Sequence, residues 1–219
     1  IVLFSGITPN EAAQISILKN NGDGTWGADV IAADGITGHL ELVNADGSTE
    51  LISSPATIYN LDDLEISDVD NNGYQDLLVY SGNNSLFVLE NYGPDTDWDY
   101  SLIANRLGSS DQSYFVLPNG STQDLPFNTV GSSNISVGDL DGDSLDDIVL
   151  FSGIAPNEAA QISIFKNNGD GTWGADVIAA DGIYGHLELV NSDGSTELIS
   201  SSGVNISNLY DLEISDVDN

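Results

Sequence analysis

The stretch Asp139-Leu140-Asp141-Gly142-Asp143-Ser144-Leu145-Asp146-Asp147, followed at once by the apolar run Ile148-Val149-Leu150-Phe151, decides how the chain folds. Its acidic side chains at loop positions 1, 3, 5 and 9 can all turn onto one small volume. Left alone, that arrangement is unfavourable, because each carboxylate pair at about 4 Å repels by roughly 1–4 kcal/mol near a protein surface. A hard divalent cation reverses the sign. Calcium accepts 6–8 oxygen ligands in irregular geometry, so clustered aspartates on a short loop suit it better than magnesium. The spacing excludes an EF-hand, which needs a Glu at loop position 12 and flanking helices.

The same pattern occurs as Asp68-Val69-Asp70-Asn71-Asn72-Gly73-Tyr74-Gln75-Asp76, again ahead of an apolar run, Leu77-Leu78-Val79-Tyr80. A third copy starts at Asp216-Val217-Asp218-Asn219. The loops belong to a repeat. Ile1–Ser54 returns at Ile148–Ser201 with four changes: Thr8 to Ala155, Leu18 to Phe165, Thr37 to Tyr184 and Ala45 to Ser192. A diverged copy lies between them: Ser85-Leu-Phe-Val-Leu-Glu-Asn91 stands where Gln14-Ile-Ser-Ile-Leu-Lys-Asn20 stands, and Trp98–Ala104 matches Trp26–Ala32. Such self-similarity is the mark of a repeat architecture.

Within each unit the pattern is that of short strands. Alternation in Gln14–Leu18, β-branched and aromatic runs around Val79 and Val149, and frequent Gly, Asn and Asp all point this way. Asn21-Gly-Asp-Gly24, Ala45-Asp-Gly-Ser48, Pro118-Asn-Gly-Ser121 and Ser192-Asp-Gly-Ser195 read as hairpin turns. Four strands are expected per unit: one before the acidic loop, one after it, a third at Leu86–Glu90 or Ile162–Lys166, and a fourth led by Trp98 or Trp173. An extra hairpin follows, pairing His39–Val43 with Glu50–Ser53, Tyr114–Leu117 with Gln123–Phe127, and His186–Val190 with Glu197–Ser200.

The chain has 35 Asp plus Glu against 3 Lys plus Arg, a formal charge of −32. Nucleic acid and anionic membrane surfaces are therefore poor partners. Forty per cent hydrophobic residues suffice for a core, so the charge does not imply disorder. Without screening salt or bound cations such a chain repels itself. The acidity fits either solubility in salty, calcium-containing water or a calcium-dependent adhesive role. There is no cysteine, so disulfides do not hold the fold. No apolar run has the length of a membrane span. The absence of methionine and the start inside an apolar run point to a processed or excised segment.

Val137-Gly138-Asp139, Asp141-Gly142-Asp143 and Asp147-Ile-Val-Leu150 together resemble the FG-GAP/VCBS repeat of integrin-α-type β-propellers. Asn20-Asn21-Gly-Asp-Gly-Thr-Trp26 is similar to a hairpin of the bacterial branch of that family, with Trp for Phe. The resemblance implies an all-β fold of propeller-type blades of about four antiparallel strands, here with an extra hairpin per repeat. It divides the chain into a partial blade lacking its first strand (1–60), full blades at 61–130 and 131–208, and the first strand and truncated loop of a further blade (209–219). It implies calcium at Asp68, Asp70, Asn72 and Asp76 with the Tyr74 carbonyl, and at Asp139, Asp141, Asp143 and Asp147 with the Leu145 carbonyl. Asp216 and Asp218 would belong to a third site. Ser144 stands where Gly73 stands, at a turn that favours positive φ.

The expected function is a calcium-stabilised structural or adhesion module, extracellular or at the cell surface. Its expected partners are flanking blades of a longer chain or other copies joined head to tail into a ring or filament. Glycans or cell-surface proteins are further expected partners. A lectin-like propeller is the alternative. A polysaccharide-active enzyme is disfavoured, because Lys19, Lys166, Arg106, His39 and His186 are the only basic side chains from which to build a base and an anion stabiliser. Asp95-Thr-Asp97-Trp-Asp99 lacks a closing ligand and reads as a solvated turn. Asp23 and Asp170 read as turn residues, Trp26, Trp98 and Trp173 as packing between blades, and His39 and His186 as strand-edge residues. Asn83, Asn119, Asn134 and Asn205 open glycosylation triplets, a common chance match.

Overall fold

The computed structural model describes residues 2–5, 14–33, 40–43, 47–53, 61–81, 85–93, 98–105, 113–125, 134–151, 161–180, 187–190, 195–200 and 214. Among these residues, seventeen strands form three antiparallel sheets. The first contains β1 (Val2–Ser5), β2 (Gln14–Asn20), β3 (Trp26–Ala33), β4 (Leu40–Val43) and β5 (Thr49–Ser53) in sequence order. The second runs from β6 (Leu61–Ser67) through β7 (Asp76–Ser81), β8 (Ser85–Asn91), β9 (Trp98–Asn105) and β10 (Tyr114–Val116) to β11 (Thr122–Asp124). The third contains β12 (Asn134–Gly138), β13 (Asp147–Phe151), β14 (Gln161–Asn167), β15 (Trp173–Ala180), β16 (Leu187–Val190) and β17 (Thr196–Ser200).

In each sheet the extra hairpin continues from the strand led by tryptophan, and β3 pairs with β4 in this way. β10 pairs with both β9 and β11, and β16 with both β15 and β17. Among the described residues the sheets close into neither a barrel nor a ring.

Both faces of the second sheet are covered. Leu77 and Val79 of β7, with Phe87 and Leu89 of β8, meet Ile15 and Ile17 of the first sheet. The alternate residues Leu78, Tyr80, Leu86 and Val88 meet Ile135, Ile148, Leu150 and Phe165 of the third. Two-sided burial explains why β7 reads as a continuous apolar run instead of an alternating one. Phe115 and Phe165 pack edge to face across the second interface, with ring centroids 4.9 Å apart.

The strands ahead of the acidic loops lie side by side. Asp63 of β6 accepts the Ile135 N–H of β12 at 2.8 Å, and a Cβ on Gly138 would sit 3.0 Å from the Ile214 side chain. The tryptophans share one unit position but not one environment. Trp98 is buried in the core between the first and second sheets, and Trp173 packs against the core between the second and third. Trp26 is 53% exposed, because no preceding sheet among the described residues covers the first one.

Candidate metal centre

Among the described residues each acidic loop joins the first two strands of its sheet, and the hairpin turn at 168–172 lies beside the loop at 139–147, where a Cβ on Gly169 would sit 3.0 Å from the Leu145 side chain. Asp76 and Asp147 are both the last residue of a loop and the first of a strand. Pairing of Ser67 with Asp76 and of Gly138 with Asp147 fixes their backbones. Both side chains are fully buried. The Asp76 carboxylate accepts the Val69 N–H at 2.9 Å and the Asn91 N–H at 2.8 Å. Asp147 accepts the Leu140 N–H at 3.0 Å and the Asn167 N–H at 2.9 Å.

Burial pushes the Asp76 carboxyl up to about 6, outweighing those two backbone hydrogen bonds, while the charges of Asp70 and Asp68 add to the rise. Asp147 is raised by the same main cause, with Asp141 and Asp143 adding. Each loop thus ends in a carboxylate whose negative charge is unfavourable until something positive approaches.

Two further aspartates of each loop turn toward it. One carboxylate oxygen from each of Asp68, Asp70 and Asp76 lies within 4.8 Å of the others, and Asp139, Asp141 and Asp147 form an equivalent group. These two acidic triads could hold a metal ion. Their donors are hard oxygens, with no thiolate or imidazole, which fits a hard divalent cation and leaves coordination positions for carbonyls and water.

The backbone wraps the first aspartate of each loop. Asp68 accepts N–H groups from Asn72 and Gly73 at 2.9 and 2.8 Å, and Asp139 accepts them from Gly142 and Ser144 at 2.7 and 3.0 Å. Such wrapping needs two left-handed residues per loop. These are Asn71 (φ 57) and Gly73 (φ 91) in one, and Gly142 (φ 84) and Ser144 (φ 72) in the other. Each loop meets one requirement with glycine and one without, so Ser144 has the strained conformation its position implies.

Loop position 5 behaves differently from its neighbours. Asn72 accepts the Tyr74 N–H at 2.8 Å and donates to Asp70 at 2.9 Å. Asp143 accepts the Leu145 N–H at 2.8 Å and stays outside the triad. Both residues close a local turn that leads into Tyr74 or Leu145. The Tyr74 ring folds over Gly93, where a Cβ would come within 2.9 Å of it. Asp216 and Asp218 lie outside the described residues, as do Asp95, Asp97, His39 and His186. Asp23 and Asp170 are turn residues: each accepts the backbone N–H and the hydroxyl of the threonine two residues on.

Two residues not singled out from the sequence complete the centres. Asn91 and Asn167 end the third strands of their sheets and supply the backbone N–H groups that hold Asp76 and Asp147. Asn167 also donates from Nδ2 to the Val69 carbonyl at 2.8 Å, in the other acidic loop. Ser67, at the base of that loop, donates to Asp146. The two centres are thereby tied together. The recurrence of Asn20, Asn91 and Asn167 at one unit position is the signal that could have revealed them.

Comparison with known protein families, curated proteins and solved structures finds no match.

Proposed function

We propose that the protein is a calcium-stabilised, extracellular structural or adhesion module, built from propeller-type blades and working beside further sheets of the same kind. The observation that carries this reading is the pair of equivalent acidic triads, each anchored by a fully buried aspartate. Calcium in these loops would neutralise three carboxylates and brace the first hairpin of the blade, so that its binding free energy becomes folding free energy. Repetition of the loop at the same place in successive sheets favours a structural role over a single reaction centre. Abundant extracellular calcium suits loops of this open, partly exposed kind. Calorimetric titration with calcium tests the reading. Two sites should fill per chain, Asp76→Asn removing one and Asp147→Asn the other. No heat of binding, or equal affinity for magnesium, would contradict it.

A further inference from the structure

A cleft of about 450 Å³ opens between the second and third sheets, beside the acidic loop at 68–76. Val88, Ile103 and Val116 give it an apolar lining, and Trp173 stands in its wall. Its acidic members are Asp70, Glu90 and Asp170. The volume is within the range that holds a small ligand.

Glu90 reverses the charge found at its position elsewhere in the chain. The repeat places Lys19 and Lys166 where this unit has Glu90, and Lys166 reaches Asp176 at 3.0 Å. The residue opposite changes as well. Lys19 and Lys166 face Gly27 and Gly174 across the strand pair, whereas Glu90 faces Asp99. Like charges directly opposite one another destabilise a sheet. The Tyr92 hydroxyl donates to Glu90, and its proton is held well beyond the usual phenol range by that bond first, then by burial and the charges of Glu90, Asp99 and Asp70. Several negative groups therefore act on one point beside an apolar pocket.

We propose that this cleft binds an organic cation, an alkylammonium or guanidinium head on an aliphatic stem. The carboxylates receive the head, the Trp173 ring adds a cation–π contact, and the apolar lining covers the stem. A bare metal ion gains nothing from Val88, Ile103 or Val116. Asp70 also belongs to one acidic triad, whereas Glu90, Asp170 and Trp173 belong to neither, so these three are left to receive the head when calcium occupies that loop. The cation could be a free amine or the lysine side chain of a partner.

The test follows the Trp173 indole N–H by NMR in the whole, calcium-saturated chain during titration with cadaverine and with Nα-acetyl-lysine methylamide. Pentanol and N-acetylglucosamine serve as neutral controls. Saturable shifts are expected with the amines, tighter cadaverine binding identifying a small free amine and tighter lysine binding a protein partner. Losing one charge-assisted contact in Glu90→Gln should weaken binding about tenfold. Glu90→Lys, which installs the residue of the sister units, should abolish it while leaving the rest of the spectrum intact. No saturable shift with either amine, unchanged affinity in both Glu90 variants, or equal binding of a neutral control would overturn the proposal.

Discussion

At the scale of single residues, the acidic loops combine strain with unfavourable charge, and the two can be tested separately. Ser144 holds a left-handed backbone (φ 72) that its counterpart Gly73 holds without penalty. Ser144→Gly should therefore stabilise the protein by about 1 kcal/mol in urea unfolding, the cost of a left-handed conformation for a residue with a Cβ. The charge effect depends on pH. Asp76 has a folded-state pKa of about 6, above its ordinary 3.8, so the folded protein binds this proton more tightly than the unfolded chain does. In chelator, stability should fall as pH rises from about 4 through 6, by on the order of 2–3 kcal/mol for this group. Asp147, raised for the same reason, contributes in the same direction. Urea midpoints across that range provide the measurement, and a rise of stability with pH would contradict the assignment. The triads were legible in the sequence because aspartates at positions 1, 3 and 9 have little else to do together. Position 5 is ambiguous from spacing, which does not separate a metal ligand from a residue that closes a local turn, as Asn72 and Asp143 both do.

At the scale of elements, the strands and their pairing follow from pattern. Leu77–Tyr80 is continuous because both of its faces are buried, Gln14–Leu18 alternates, and each Gly- or Asn-rich turn sets a register. The extra hairpins were legible for the same reason, but their joining onto the fourth strand was not, since turn chemistry does not say which edge a hairpin takes. Burial of a side chain also depends on the neighbouring sheet, which local sequence does not encode. Trp26, Trp98 and Trp173 make the point, being one letter at one unit position in three environments. Trp98→Ala should cost about 3–5 kcal/mol, as for a large aromatic removed from a core. Trp26→Ala, at an exposed position, should change stability by no more than about 0.5 kcal/mol. Equal effects of the two substitutions in chemical denaturation would contradict the stacking of the first sheet on the second.

At the scale of the whole molecule, a chain of net charge −32 must hold its sheets together against its own repulsion. Its sheets meet through two apolar interfaces, and its loops add concentrated negative charge. Asn167 and Ser67 bind one loop to the other, so bracing one centre also steadies the next. Repetition and acidity were visible in the sequence, but this linkage was not, because it joins residues 98 positions apart. If calcium occupies both centres at about a hundred times its dissociation constant, it adds roughly 2.7 kcal/mol per site. For a chain of this size that is a rise of about 10–20 °C in melting temperature. The most direct measurement is a thermal melt of the whole chain, in millimolar calcium and again in excess chelator at the same ionic strength. The melt should be lowered by that amount in chelator and restored by calcium but not by magnesium. An identical melt in calcium and in chelator would contradict the calcium assignment.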